Sequence, residues 1–153
     1  MGGRMARGSS LSDDQVINKL NNDFIAVDNN ISDQGWPANT PALDQWHHWL
    51  DNHPSYAQNG FTTSVVISPD GKLALGTSGS GHVAEWHTSI CYDPAKYFGF
   101  LEGAEQKFQQ YREIASIPDP NQRYQMAVQL QRQVMMENRT RQHPEAAMNP
   151  DRM

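Results

Sequence analysis

The sequence has little cysteine, few hydrophobic residues and no long apolar run. Its single cysteine, Cys91, excludes an intrachain disulfide and any CxxC redox or zinc pair. Hydrophobic residues make up 37% of the 153 positions, which predicts a modest core, because globular domains average about 45–50%. No apolar stretch approaches the ~18 residues that a membrane-spanning helix needs.

Basic residues are also scarce relative to acidic ones. The chain has 12 Lys and Arg against 17 Asp and Glu, a formal net charge of -5. Because a nucleic-acid-binding protein needs a basic surface, this balance argues against DNA or RNA as a partner. The basic residues 1–11 lack the apolar stretch of a signal peptide, so we expect a cytoplasmic protein without a membrane span.

Composition and periodicity divide the chain into three parts. Residues 1–11 contain Gly, Ser, Arg and Met without a period and predict a flexible lead-in. Residues 12–116 carry the clearest helix and strand patterns and predict one α/β domain. Residues 117–153 are polar and predict a helical tail that either binds a partner or is disordered.

The domain begins with a helix and a short strand. Ser12 and Gln15 have the spacing of a capping box, which predicts Ser12 as a helix N-cap. The apolar run 24–27 predicts a buried strand. Thr40 and Pro41 then predict the start of a second helix, because threonine is a good N-cap and proline suits the first helical position.

A β-hairpin follows in the sequence. The apolar runs 61–67 and 73–77 predict two strands. Between them, Ser68-Pro69-Asp70-Gly71-Lys72 is typical of a turn in which the glycine takes a positive φ. We therefore expect the two strands to pair antiparallel.

Two further helices complete the predicted elements. Asp93 before Pro94 predicts a cap and a helix that reaches Ile114. The prolines in 118–120 end it, and residues 121–138 predict a helix rich in Gln and Met.

This order of elements resembles the later part of the thioredoxin fold. Residues 12–27 are similar to the helix and strand that follow the active site in thioredoxin-like proteins of the thiol:disulfide interchange type. Residues 60–72 look like that family's central hairpin, and residues 93–111 look like its closing helix. The resemblance implies a truncated thioredoxin-like three-layer α/β sandwich over residues 12–112, with an extended N-terminus and a C-terminal helical tail.

The resemblance also implies what the chain has lost. The family carries CxxC just before its first matched helix, where this chain has no cysteine, and a cis-proline at the position of Thr62. We therefore do not expect dithiol exchange and lean against an enzyme. The missing first strand would leave a sheet edge unpaired, to be covered by the lead-in, the tail helix or another subunit.

A cluster of metal-ligand residue types offers an alternative function. His82, Glu85, His87 and Cys91 fall within ten residues. In a strand, however, His82 and His87 would point to opposite faces, and the intervening residues lack a helical pattern, so a surface loop is the plainer interpretation. A metal-binding protein or a hydrolase that uses these four residues is the alternative, and a redox protein completed in trans through Cys91 is a third possibility.

Aromatic and methionine side chains indicate a protein-binding surface instead. Such residues are frequent at adaptable interfaces, and the candidates are Trp36, Trp46, Trp49, Tyr124, Met135 and Met136. Together with the missing redox residues, they predict a non-catalytic, redox-inactive accessory or scaffold subunit. It would bind one or more proteins in a larger assembly, with no catalytic residue and no cofactor.

Overall fold

The computed structural model describes residues 6–27, 40–42, 44, 64–78 and 90–142. The regular helices within these ranges are α1 (Asp14–Asp23), α2 (Pro94–Ala115) and α3 (Pro120–Gln142). The strands are β1 (Val65–Ile67) and β2 (Ala74–Thr77), and single 3-10 turns cover Ser10–Ser12 and Ile90–Tyr92. Helix and strand are thus mixed, as the sequence predicts, with helix predominating and a sheet of two strands.

Helix α1 begins one residue later than the capping-box pattern predicts. Asp13, rather than Ser12, is the N-cap, and its Oδ1 accepts hydrogen bonds from the backbone N of Gln15 at 3.0 Å and of Val16 at 3.1 Å. Ser12 Oγ instead donates to the carbonyl oxygen of Arg7. A carboxylate is the stronger cap here, because it accepts both bonds and its charge suits the positive end of the helix dipole.

The strand predicted at 24–27 is wrong. These residues have no regular secondary structure, and the side chains of Ile25 and Val27 are 96% and 84% exposed. Phe24 alone packs against the core, beside Val16 and Tyr97. The only sheet in the described ranges joins β1 to β2. A short apolar run therefore has no neighbouring strand there to accept its backbone hydrogen bonds, which strand formation requires.

Residues 6–12 are packed against the helical body, which departs from the expected flexible lead-in. Ala6 is 2% exposed and Ser10 is fully buried. The 3-10 turn Ser10–Ser12 contacts both α1 and α2. Small side chains permit this close approach of the backbone, and composition alone does not distinguish them from those of a mobile segment.

The hairpin forms as predicted: β2 begins one residue later than expected, and residues 61–63 of the first predicted strand lie outside the described residues. β1 and β2 pair antiparallel, with Val65 opposite Thr77 and Ile67 opposite Ala74, and the register shifts after Val66. That irregularity increases the local twist of the strand.

The hairpin turn confirms the prediction for Gly71, whose φ is 71°. Only glycine adopts this left-handed conformation readily, because it has no Cβ. Ser68 is 1% exposed, and its Oγ accepts hydrogen bonds from the backbone N of Lys72 and Leu73 at 3.2 and 3.0 Å. The turn is therefore held from inside by a buried hydroxyl.

The predicted start of the helix at Thr40 is also confirmed. Residues 41, 42 and 44 are helical, and the backbone N of Asp44 donates to the Thr40 carbonyl at 2.9 Å. Ala42 is fully buried, and its backbone N donates to the Gly71 carbonyl at 3.0 Å. The helix start thus rests on the hairpin turn, while its continuation through residues 45–52 lies outside the described residues.

Helix α2 follows the predicted signals closely. Asp93 is the N-cap, its Oδ1 accepts from the backbone N of Lys96 at 3.1 Å, and Pro94 occupies the first position. The helix ends at Ala115, one residue beyond the predicted end, and Ser116 forms the C-cap. Residues 116–119, which include Pro118, separate α2 from α3, which begins at Pro120.

Helix α2 is the centre of the core. Its first half packs against α1, in a cluster of Val16, Tyr97, Phe100 and Leu101. Its second half packs against the hairpin and α3, in a cluster of Leu73, Leu75, Ala104, Ile114, Leu130 and Val134. In the part of the chain covered by the structure, no helix is both long and apolar enough to cross a membrane.

Candidate functional site

Helix α3, which carries three of the predicted partner-binding residues, begins at a well-defined cap. The backbone N of Asn121 donates to Asp119 Oδ1 at 3.0 Å, and the backbone N of Arg123 donates to the Asp119 carbonyl at 2.9 Å. Pro120 takes the first helical position, where it loses no hydrogen bond. The helix then runs to Gln142, beyond the predicted end at residue 138.

The inner face of α3 belongs to the core. Leu130 and Val134 are 4% and 3% exposed, and both lie in the cluster shared with α2 and β2, with Ala127 packed beside them. A neighbouring face of α3, which carries Tyr124 and Met135, stays exposed. Both faces carry some apolar residues, and only the shape of the hairpin and α2 decides which of them packs.

An ion pair fixes the rotation of α3 about its own axis. Lys107 on α2 is 8% exposed at its side chain, and its Nζ lies 3.0 Å from Oε1 of Glu137 on α3. A buried ammonium needs a charged partner, so this contact holds Glu137 against α2. The opposite face of α3 is therefore directed to solvent.

The outer face of α3 exposes large apolar side chains. The exposed fraction of the residue is 71% for Tyr124, 52% for Met135 and 62% for Met136. Val128 lies between them and is half-buried. Tyr124, Val128 and Met135 are spaced at i, i+4 and i+11, so they line one side of the helix.

Arg132 lies among these apolar residues and is exposed. It stands four residues from both Val128 and Met136 and three from Met135, so all three are its neighbours on the helix surface. We refer to Tyr124, Val128, Arg132, Met135 and Met136 as the α3 patch. The apolar members are mobile, polarisable side chains or an aromatic ring with a polar end, a composition common at protein interfaces.

Sequence reasoning missed Arg132, although a signal was present. Residues 120–142 contain four arginines and one acidic residue, whereas the other 130 residues contain eight basic and sixteen acidic ones. The overall net charge of -5 hides this local excess. Counting charge element by element would have marked α3 as a basic helix on an acidic protein.

The remaining candidates differ in what the structure says of them. Trp36, Trp46, Trp49, His82, Glu85 and His87 all lie outside the described residues. Cys91, the fourth candidate ligand, lies within the described residues. Within the described residues, no three His, Cys, Asp or Glu side chains are grouped so as to hold a metal ion. The metal site therefore stays a prediction from the sequence.

Cys91 takes part in a polar network at the open end of the hairpin. It is 2% exposed, and its Sγ lies 2.9 Å from Ser78 Oγ. Ser78 Oγ also accepts from the backbone N of Ser64 at 2.9 Å, and Ser64 Oγ lies 2.7 Å from the hydroxyl of Tyr97. The network thus joins both strands to the first turn of α2.

The hydrogen bonds of this network have a structural role. Burial raises the pKa of Tyr97, the nearby Cys91 raises it further, and the bond to Ser64 partly opposes both effects. Tyr97 therefore stays neutral near pH 7. The described members Ser64, Ser78, Cys91 and Tyr97 include no base that would activate the thiol as a nucleophile.

Among the described residues, a two-stranded hairpin packs through β2 against α2 and α3. Comparison with protein-family models gave no match, and neither the curated proteins nor the solved structures contain a significantly similar chain.

Proposed function

We propose that this chain is a non-catalytic accessory subunit that binds another protein through the α3 patch. The observation that carries the proposal is the exposure of Tyr124, Met135 and Met136 on a helix whose opposite face is fixed in the core. Exposed single apolar residues are common on any protein, but a line of them beside a buried face is typical of an interface.

Helix α3 is also held in place by contacts of its inner face. Leu130 and Val134 pack in the core, and Glu137 is paired with a buried lysine. A surface that is already ordered loses little conformational entropy on binding, so more of the contact energy appears as affinity.

The thioredoxin-like scaffold belongs to the same proposal. It is supported by a helix, an antiparallel hairpin and a long helix that follow one another along the described residues. The expected strand at 24–27 is not among the elements formed, so this part of the proposal, the thioredoxin-like scaffold, rests on the hairpin and its two flanking helices. Ile25 and Val27, both exposed, offer a second apolar surface for a partner.

Site-specific photo-crosslinking tests the proposal. A benzophenone amino acid in place of Tyr124 is compared with the same group in place of Gln110, an exposed polar residue of α2. In an extract of the natural source, we expect an adduct with a discrete second polypeptide from position 124 and none from position 110. Equal labelling from both positions, or no adduct from either, would overturn the proposal.

Surface substitution is preferable to removal of the tail. Deleting residues 119–153 would take Leu130 and Val134 out of the core, so loss of binding would then report loss of folding. Met135→Gln together with Met136→Gln keeps the buried face of α3 intact. We expect this double variant to keep its thermal stability and to lose the adduct from position 124.

A further inference from the structure

We infer that the α3 patch takes an acidic amphipathic helix of a partner protein. This inference rests on the proposed function and adds the chemistry of the partner. It depends on the distribution of charge around the apolar residues, which the proposed function does not use.

The charge of α3 is positive, in contrast to the rest of the chain. Its sequence contains Arg123, Arg132, Arg139 and Arg141 against the single acidic residue Glu137. The carboxylate of Glu137 is already engaged by Lys107. Arg123 and Arg132 are exposed, so the charge that α3 presents to a partner is positive.

The apolar residues of the patch follow one line along α3. Tyr124, Val128 and Met135 span eleven positions of one helix, which is roughly 17 Å at the helical rise. A partner helix with apolar residues at the same intervals would pack along this line. Acidic residues on the borders of its apolar face would then meet Arg132, which lies within the patch.

Extended polyanions fit the charge of the whole chain less well than an acidic helix does. A nucleic acid or an anionic membrane is an extended polyanion, and it would approach the remaining 130 residues, which carry eight basic and sixteen acidic side chains. Like-charge repulsion over that surface opposes such an approach. A single acidic helix that covers only α3 avoids most of this repulsion.

A second copy of the chain is a poorer occupant of the patch. Two α3 helices placed face to face would bring Arg132 of one copy close to Arg132 of the other, without an acidic residue of the patch to compensate. Like charges at an interface disfavour association. Charge complementarity therefore selects a partner with acidic borders.

Two synthetic helical peptides test the inference by fluorescence anisotropy with the full chain. Both carry leucine at positions matching the apolar spacing of the patch, and one has glutamate while the other has lysine at the bordering positions. We expect the glutamate peptide to bind more tightly and its affinity to fall as salt is raised. Equal binding, preference for the lysine peptide or no binding of either would overturn the inference.

A matched pair of variants assigns the effect to the patch. We expect Arg132→Glu to weaken binding of the glutamate peptide by about fivefold, the size of a surface ion pair's contribution. Lys96→Glu makes the same change of charge at the far end of α2, where Lys96 is exposed, and should leave the affinity within about twofold. An equal effect of both variants would show that only net charge matters and would contradict the inference.

The photo-crosslinking experiment separates this inference from the proposed function. An adduct from position 124 with a partner, together with failure of the glutamate peptide, would leave the proposed function standing and the inference overturned. An adduct whose mass is that of two copies of this chain would overturn the inference by naming a second copy as the occupant. Absence of any adduct would count against the proposed function itself.

Discussion

The hydroxyl of Tyr111 donates a 2.6 Å hydrogen bond to Oδ2 of Asp70, which joins α2 to the tip of the hairpin. The other oxygen, Oδ1, accepts from Ser68 Oγ at 2.5 Å and from the backbone N of Lys72 at 3.2 Å. Asp70 is therefore both part of the turn and its attachment to the helical body. The same turn also binds the start of the helix at residue 41, because the Gly71 carbonyl accepts a hydrogen bond from the backbone N of Ala42.

Removing the Tyr111 hydroxyl should loosen this attachment. We expect Tyr111→Phe to lower the free energy of unfolding by about 1 kcal/mol, because the lost bond has a charged acceptor but is partly exposed. Urea unfolding followed by circular dichroism measures the change. Tyr124→Phe is the control, since the Tyr124 side chain is 71% exposed, and its stability should be unaltered. Equal stability of the two variants would show that the bond is not formed in solution.

The same pair predicts how stability depends on pH. Burial raises the pKa of Tyr111, and Asp70 raises it further, to about 12. Because the folded-state pKa exceeds the ordinary value of 10.0, this stabilisation is complete below pH 10 and is lost as the pH rises through about 12. Alkaline unfolding should therefore be less steep in Tyr111→Phe than in the wild type.

Asp70 gives the opposite dependence on the acid side. Burial would raise its pKa, but the hydrogen bonds from Ser68, Tyr111 and Lys72 lower it below 3.8. A carboxyl group with a lowered folded-state pKa stabilises the fold above its unfolded pKa, and the contribution is lost as the pH falls through the folded value. Asp70→Asn should thus reduce stability at pH 7 more than at pH 2, which acid titration of the unfolding midpoint measures.

Two glycines in different surroundings should respond in opposite directions to alanine. A Cβ at Gly76 in β2 would lie 3.2 Å from Cε2 of Phe100, which is 3% exposed and belongs to the buried cluster with Tyr97 and Leu101. We expect Gly76→Ala to destabilise the protein by about 1–3 kcal/mol, the usual cost of overpacking. No atom of the described residues lies within 4 Å of a Cβ added at Gly99 on α2, so Gly99→Ala should stabilise by about 0.5–1 kcal/mol. Thermal unfolding of both variants checks this difference in sign.

The ion pair between α2 and α3 should be asymmetric in its energetics. Lys107 is nearly buried, whereas Glu137 is 40% exposed. Glu137→Ala leaves a buried ammonium without its partner and should destabilise by about 2 kcal/mol. Lys107→Met replaces the buried charge by an apolar chain of similar size and should change stability by less than about 1 kcal/mol. Equal losses in the two variants would mean that Lys107 reaches water.

Local signals predicted most of the elements that the structure contains. Asp93 with Pro94, the prolines at 118–120 and the turn at Gly71 act over a few residues, and each forms where expected. A cap or a positive φ is decided by neighbouring backbone atoms, so it can be inferred without knowledge of the fold.

Long-range packing was not predictable in the same way. The run 24–27 has strand-forming residues, yet Ile25 and Val27 are exposed, because no strand lies beside them among the described residues. Likewise, α3 has two adjacent stripes with apolar residues, and Leu130 and Val134 pack because the hairpin and α2 fit that side. The exposed residues Tyr124, Met135 and Met136 could be predicted from their residue types. Arg132 could be found only by counting the charge of each element separately.

The thiol of Cys91 should be protected in the native state. Cys91 is 2% exposed and hydrogen-bonded to Ser78. We therefore expect it to react with a thiol reagent such as Ellman's reagent only when the surrounding structure opens locally. Ser78→Ala removes the acceptor of the Ser64 backbone N and should raise the rate as this end of the hairpin opens more often. Denaturant should expose one reactive thiol per chain in both forms.

Rapid reaction of the native Cys91 thiol would instead support metal binding or a disulfide with another chain. A native thiol that reacts as fast as in denaturant would place Cys91 at the surface, where it can bind metal with His82 and His87 or form a disulfide with another chain. A metal ligand is distinguished from a free thiol by added zinc, which would protect the first and not the second. Protection without metal, in contrast, is expected of a buried thiol that lies between β2 and α2 and is hydrogen-bonded to Ser78.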